Sequence, residues 1–94
     1  MTAKIDRQAY VGAANALGEN DASEWMAETP RSQWAAAIAA GTLGADEALL
    51  NALGEPAVAR MFGVAEGSAE LSEACRHYSA AWEECVAAAL REAE

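Results

Sequence analysis

The chain has 94 residues, and fifteen acidic side chains against six basic ones leave it a formal charge of -9. Charge of that sign is repelled by nucleic acid and anionic lipid and attracted to basic protein surfaces. The length suits one domain, residues 1–94, near the lower limit of what folds unaided, and with more than a quarter of its residues alanine the chain suits closely approached helices anchored by a few aromatics, with no deep ligand pocket.

In chain order, Asp6 is placed to cap a first helix running to about Leu17, with Gly18 in the terminating role that glycine fills cheaply. Ala9, Val11 (or Gly12), Ala13, Ala16 and Leu17 offer that helix a thin apolar face, with Tyr10 beside it. Asp21 followed by Glu24 reads as a capping box opening a short second helix through Glu28. Thr29-Pro30 then restarts the chain: threonine caps, and proline at the first helical position lacks an amide hydrogen that had no partner anyway. The third helix, Pro30 to Ala40, ends at Gly41, and its face of Trp34, Ala37 and Ile38 is expected to be central. Asp46 and Glu47 complement the positive dipole end of a fourth helix, whose inward side is Leu49, Leu50 and Leu53 and whose stop is Gly54. After Glu55-Pro56 a fifth helix spans Ala57 to Phe62 and breaks at Gly63.

From about Ser68 to Arg91 there is neither glycine nor proline. Leu71, Cys75, Tyr78, Trp82, Cys85 (or Val86), Ala89 and Leu90 follow alternating steps of four and three, the mark of one buried stripe. At ~1.5 Å per residue this helix spans ~35 Å, long enough for the others to pack along. No period-2 run rich in β-branched residues occurs. The expected fold is all-α: a compact bundle of five to six mostly short helices around one long C-terminal helix.

Cys75 and Cys85 fall ten positions apart on that last helix, ~15 Å at ~1.5 Å per residue. A disulfide needs Cα atoms within ~7 Å, so reduced, buried thiols are expected. No run reaches the ~18 apolar residues of a membrane span, and the segment from Met1 to Arg7 lacks the basic-then-apolar build of a secretory signal. The expectation is a cytoplasmic protein without membrane contact.

The inventory of reactive groups points away from catalysis. The single histidine, His77, falls on the row Glu66, Glu70, Glu73, His77, Ala80, Glu84, with Glu73 as its i-4 neighbour, an ordinary helix-surface pair. Ser79 and Cys75 point elsewhere on the same helix, so no nucleophile and base pair up. Two cysteines and one histidine do not make the clustered ligand set of zinc, no alternating Asp/Asn loop suits calcium, and no glycine-rich strand-to-helix loop suits phosphate. No enzyme activity, metal or cofactor is expected.

What remains is surface. Asp21, Glu24 and Glu28 stand at i, i+3 and i+7, with Trp25 alongside and Glu19 just before; Glu66, Glu70 and Glu73 form a second row. Neighbours on such a row lie ~5–6 Å apart, comparable to successive phosphates on a nucleic-acid strand, so a helix decorated this way can occupy a groove lined by Lys and Arg. The same rows can equally be solvated faces that keep a small domain soluble. Trp25 is either the rim of the core or an interface anchor; Trp34 and Trp82, in alanine-rich stripes, read as core. Arg31, Arg60, Arg76 and Arg91 are spread singly, and without a basic patch direct binding of nucleic acid is not expected.

In carrying Glu19, Asp21, Glu24, Trp25 and Glu28, then Glu66, Glu70 and Glu73, on a short, motif-free helical chain, the protein resembles the small acidic inhibitors of the anti-CRISPR type that phages and mobile elements encode against bacterial defence. The resemblance is one of general character and transfers no residue position by position. It implies a stoichiometric inhibitor that binds the basic DNA-handling surface of a CRISPR effector complex and blocks DNA binding, working in the host bacterial cytoplasm. The alternative is a small helical adaptor, immunity-type or assembly protein, a monomer or a homodimer, using an apolar face of Leu49, Leu50, Leu53, Met61 and Phe62.

Overall fold

The computed structural model describes residues 6–40 and 45–92. Helix α1 is Arg7–Glu28, a single 3-10 turn follows at Arg31–Gln33, and then come α2 (Trp34–Ala40), α3 (Ala45–Leu53), α4 (Glu55–Phe62) and α5 (Ala69–Glu92). Among the described residues there is no strand, and no helix is long and apolar enough to cross a membrane. The reading of residues 1–5 as free of a leader, and of Gly41 as a helix stop, falls outside the described residues.

Asp6 caps α1 as expected, its carboxylate accepting the Gln8 N–H at 3.0 Å. The helix does not stop at Gly18, however. It runs on unbroken for 22 residues, and the two short helices expected here are one. Asp21 therefore caps nothing. The reason lies in the packing. Tyr10, Ala14, Gly18 and Ala22 are buried, and four-residue steps keep them on one side of a helix. That stripe faces α5, so the apolar face is not the expected one: Ala9, Gly12, Ala13 and Ala16 are exposed, and Val11 and Leu17 are half-buried.

Helix α5, 24 residues long, buries Leu71, Ala74, Cys75, Tyr78, Trp82 and Val86, close to the expected stripe, with Val86 rather than Cys85 fully enclosed. Ser68 caps it by accepting the Leu71 N–H at 3.1 Å. Helices α1 and α5 run parallel. Tyr10 meets Glu73, Asp21 meets Tyr78, and Trp25 meets Trp82, so both helices advance in the same direction. The core is thus a pair of long helices rather than one long helix dressed with short ones.

A parallel pair requires the chain to travel back, and α2, α3 and α4 make that return. The residue after α1, Thr29, is extended and supplies its carbonyl to the Trp34 indole N–H at 3.0 Å. Thr29 does not cap a helix at Pro30; Pro30 is itself extended, and α2 begins at Trp34. Trp34, Ala37 and Ile38 are half-buried, so α2 flanks the core rather than occupying its centre. Helix α3 carries Asp46 and Glu47 in its first turn. Ser79 pins that turn to the middle of α5, its Oγ accepting the Asp46 N–H at 3.0 Å and donating to Asp46 Oδ1 at 2.8 Å. Gly54 (φ 88°) and Gly63 (φ 70°) bracket α4 in backbone conformations that favour glycine. Between them Val58, Ala59 and Phe62 are buried and belong to the same core cluster as Tyr10, Leu71 and Cys75.

Candidate partner-binding surface

The second acidic row does not form as a row. Glu66 lies in the turn before α5, and Glu70 is half-buried with one carboxylate oxygen enclosed and without a hydrogen-bond partner among the described residues. Glu73 is tied down: Arg7 donates to its Oε2 through Nε at 2.8 Å and keeps the charged Nη2 2.6 Å from the same oxygen as an ion pair, and the Tyr10 hydroxyl donates to Oε1. The Arg7 guanidinium and then the Tyr10 hydroxyl hold the Glu73 carboxyl below its usual range, and the same bond pushes the Tyr10 phenol up. Glu73 thus joins the starts of α1 and α5, with His77 adding a weaker Coulombic pull on its carboxyl.

The first row splits as well. Asp21 is half-buried and accepts the Tyr78 hydroxyl at 2.5 Å. Burial and then this bond hold the Tyr78 phenol far above its ordinary value. Trp25 packs on Trp82, ring centroids 4.9 Å apart and planes tilted by 56°. Glu24 and Glu28 remain exposed on α1. Glu19 is exposed too, but at ~100° per residue it stands ~140° round the helix from Glu24.

The parallel register regroups these charges. It brings the C-terminal halves of α1 and α5 to the same end of the molecule, so Glu19, Glu24 and Glu28 join Glu83, Glu84 and Glu92, with only Arg31 and Arg91 as basic counterparts among the described residues. Both helices also point the negative end of their dipoles there, and the last turn of α1 holds no basic residue. A groove of about 510 Å³ runs between the two helices at this end, with Glu19, Glu84 and Glu92 on its walls and Met26, Cys85 and Ala88 among its apolar lining. Arg91 reaches Glu84 at 2.9 Å, but both side chains are well exposed, and such pairs are weak. Arg31 lies over the Trp34 ring at 5.7 Å.

A second opening, about 370 Å³, lies between α1, α3 and α5 and is walled by Trp25, Trp82, Tyr78 and Leu49, with Asp21 among its lining residues. Sequence patterning assigns Tyr78 and Trp82 to the core and leaves Trp25 open between core and anchor. Their meeting with Asp21 depends on the parallel register, which no spacing within one helix reveals. The apolar face of α3 and α4 is only partly available: Leu53 and Met61 are 50% and 45% exposed, but Phe62 is 6% exposed, and Leu49 and Leu50 are half-buried.

Comparison of the chain with protein-family models, with curated proteins and with solved structures gave no match.

Proposed function

We propose that this chain is a stoichiometric inhibitor that sets its acidic end against a basic, nucleic-acid-handling protein surface and so keeps nucleic acid away from it. The observation that supports this reading is the gathering of Glu19, Glu24, Glu28, Glu84 and Glu92 at the end where α1 and α5 both terminate. The acidic groove there matches a ridge of Lys and Arg, and complementary potentials of this kind speed encounter and select the partner. Resemblance to small acidic anti-defence inhibitors extends the reading to a CRISPR effector complex as the target. The remaining residues of the two expected rows act as supports: Glu73, Asp21 and Trp25 hold α1 on α5, while Glu66 and Glu70 stand at the opposite end.

The test is competition between the protein and a labelled DNA target for a purified effector complex. Charge reversal of both the groove wall and the neighbouring α1 face, Glu19→Lys with Glu84→Lys and separately Glu24→Lys with Glu28→Lys, is expected to abolish competition in the first pair and weaken it in the second while the helical circular dichroism spectrum is retained. Raising the salt should weaken the complex, because attraction between exposed charges is screened within ~10 Å at 0.1 M. Inhibition that survives both changes refutes the proposal.

The adaptor reading keeps one observation in its favour, the exposure of Leu53 and Met61. It expects a salt-insensitive dimer in light scattering that Leu53→Ser with Met61→Ser converts to monomer.

A further inference from the structure

The cleft under α3 has a chemistry the acidic groove does not share. Trp25, half-buried, and Trp82, of which only 6% is exposed, both line this opening, their rings tilted by 56° to each other. Tyr78 stands beside them, and its hydroxyl, donating to Asp21 Oδ2 at 2.5 Å, fixes the carboxylate at the edge of the aromatic wall. Leu49 and Ala52 bound the far side, and among the described residues no basic side chain lines the space. Its volume, about 370 Å³, falls within the ~300–1,000 Å³ of small-ligand sites.

Aromatic faces are negative and attract cations, more strongly when water is excluded. A neutral aliphatic guest would strip water from Asp21 without replacing it. An apolar stem ending in a positive charge answers both the rings and the carboxylate.

We propose that this cleft binds an alkylammonium group, its methyl or methylene carbons against Trp25 and Trp82 and its charge beside Asp21. The group can come from a lysine side chain, methylated or not, or from a free amine; the shared chemistry is the same. The proposal does not rest on the inhibitor reading.

The test titrates the full chain, followed by tryptophan fluorescence and calorimetry, with choline and with its neutral isostere in which a tert-butyl group replaces trimethylammonium. Choline is expected to bind saturably, and the isostere about threefold to fivefold more weakly, the ratio a partly exposed cation–π contact provides. Asp21→Asn, which keeps an acceptor for Tyr78, should weaken choline by a similar factor, and Trp25→Leu should weaken it further. Absence of saturable binding overturns the proposal, as does equal affinity for the isostere; both readings use the unaltered protein and so do not depend on any variant folding. Peptides carrying trimethyllysine or lysine distinguish the sources: tighter binding of a peptide than of choline assigns the site to a protein side chain, and the reverse assigns it to a free amine. No basic protein partner is present in any of these titrations, so their failure leaves the inhibitor reading standing, and failure of DNA competition leaves this one standing.

Discussion

Gly18 lies against the backbone of Tyr78: a β-carbon at this position would fall inside van der Waals contact of the Tyr78 carbonyl oxygen, and 3.1 Å from the Ala81 side chain. Here α1 and α5 approach backbone against backbone. A hydrogen at this position is a requirement of the crossing.

Gly18→Ala is therefore expected to destabilise the fold by about 1–3 kcal/mol, the usual cost of overpacking, even though alanine in an exposed helix is worth about 1 kcal/mol over glycine. Gly12 is the control. It sits on the same helix, and a β-carbon there would meet nothing within 4 Å, so Gly12→Ala should stabilise by up to about 1 kcal/mol. Urea denaturation of both variants reads the difference in sign; two stabilised variants would show that the helices do not meet at Gly18.

Acid should loosen the clasp at the other end of the pair. The Glu73 carboxyl lies below its ordinary 4.5, through Arg7 first and Tyr10 second. A lowered folded value means the contribution is complete above about pH 4.5 and is lost as pH falls through the depressed value. Wild type should exceed Glu73→Gln in stability at neutral pH, with the gap closing below pH 4.5. A gap that is constant with pH would mean the pairing is not formed in solution.

Alkali acts on the two tyrosines with the opposite sign. Both phenols are raised from 10.0, Tyr10 chiefly by its bond to Glu73 and Tyr78 chiefly by burial and then by Asp21. The unfolded chain releases these protons first, so their contribution is intact below pH 10.0 and declines as pH climbs toward the folded values. Tyrosinate absorbance should therefore rise together with loss of helical signal. Tyr78→Phe, which leaves Asp21 without its donor, is expected to cost about 1–3 kcal/mol.

Trp25 is half-buried and carries one ring face of the Trp25–Trp82 pair. Such pairs are worth about 0.5–1.5 kcal/mol beyond the area they bury. Trp25→Ala should cost about 2–3 kcal/mol, less than the ~3–5 of a fully enclosed aromatic, and should abolish any coupled tryptophan signal in the near-ultraviolet dichroism. Trp34→Ala, on a flanking helix, should leave that signal unchanged.

The two thiols should be told apart by alkylation. Cys75 is buried, and that burial, reinforced by Asp46 and Glu55, pushes its thiol up. Cys85 is half-buried and lines the groove between α1 and α5. Mass spectrometry after brief iodoacetamide treatment should find Cys85 modified well before Cys75; the reverse order would contradict the placement of the buried stripe on α5.

Much of this molecule could be read along the chain. Asp6 announces a helix start, Gly54 and Gly63 announce stops, and Leu71 through Val86 announce the long buried face of α5, because capping and periodicity are local properties that each segment carries with it. Gly18 and Asp21 carry the same local marks and mean something else. A glycine that favours a helix end by about 1 kcal/mol is overruled when its missing side chain lets two backbones touch, and a carboxylate that could cap is taken by Tyr78 instead. The parallel run of α1 beside α5, and with it the acidic end and the tryptophan cleft, was decided only by tertiary packing, because the direction in which one helix passes another leaves no trace in the spacing of either.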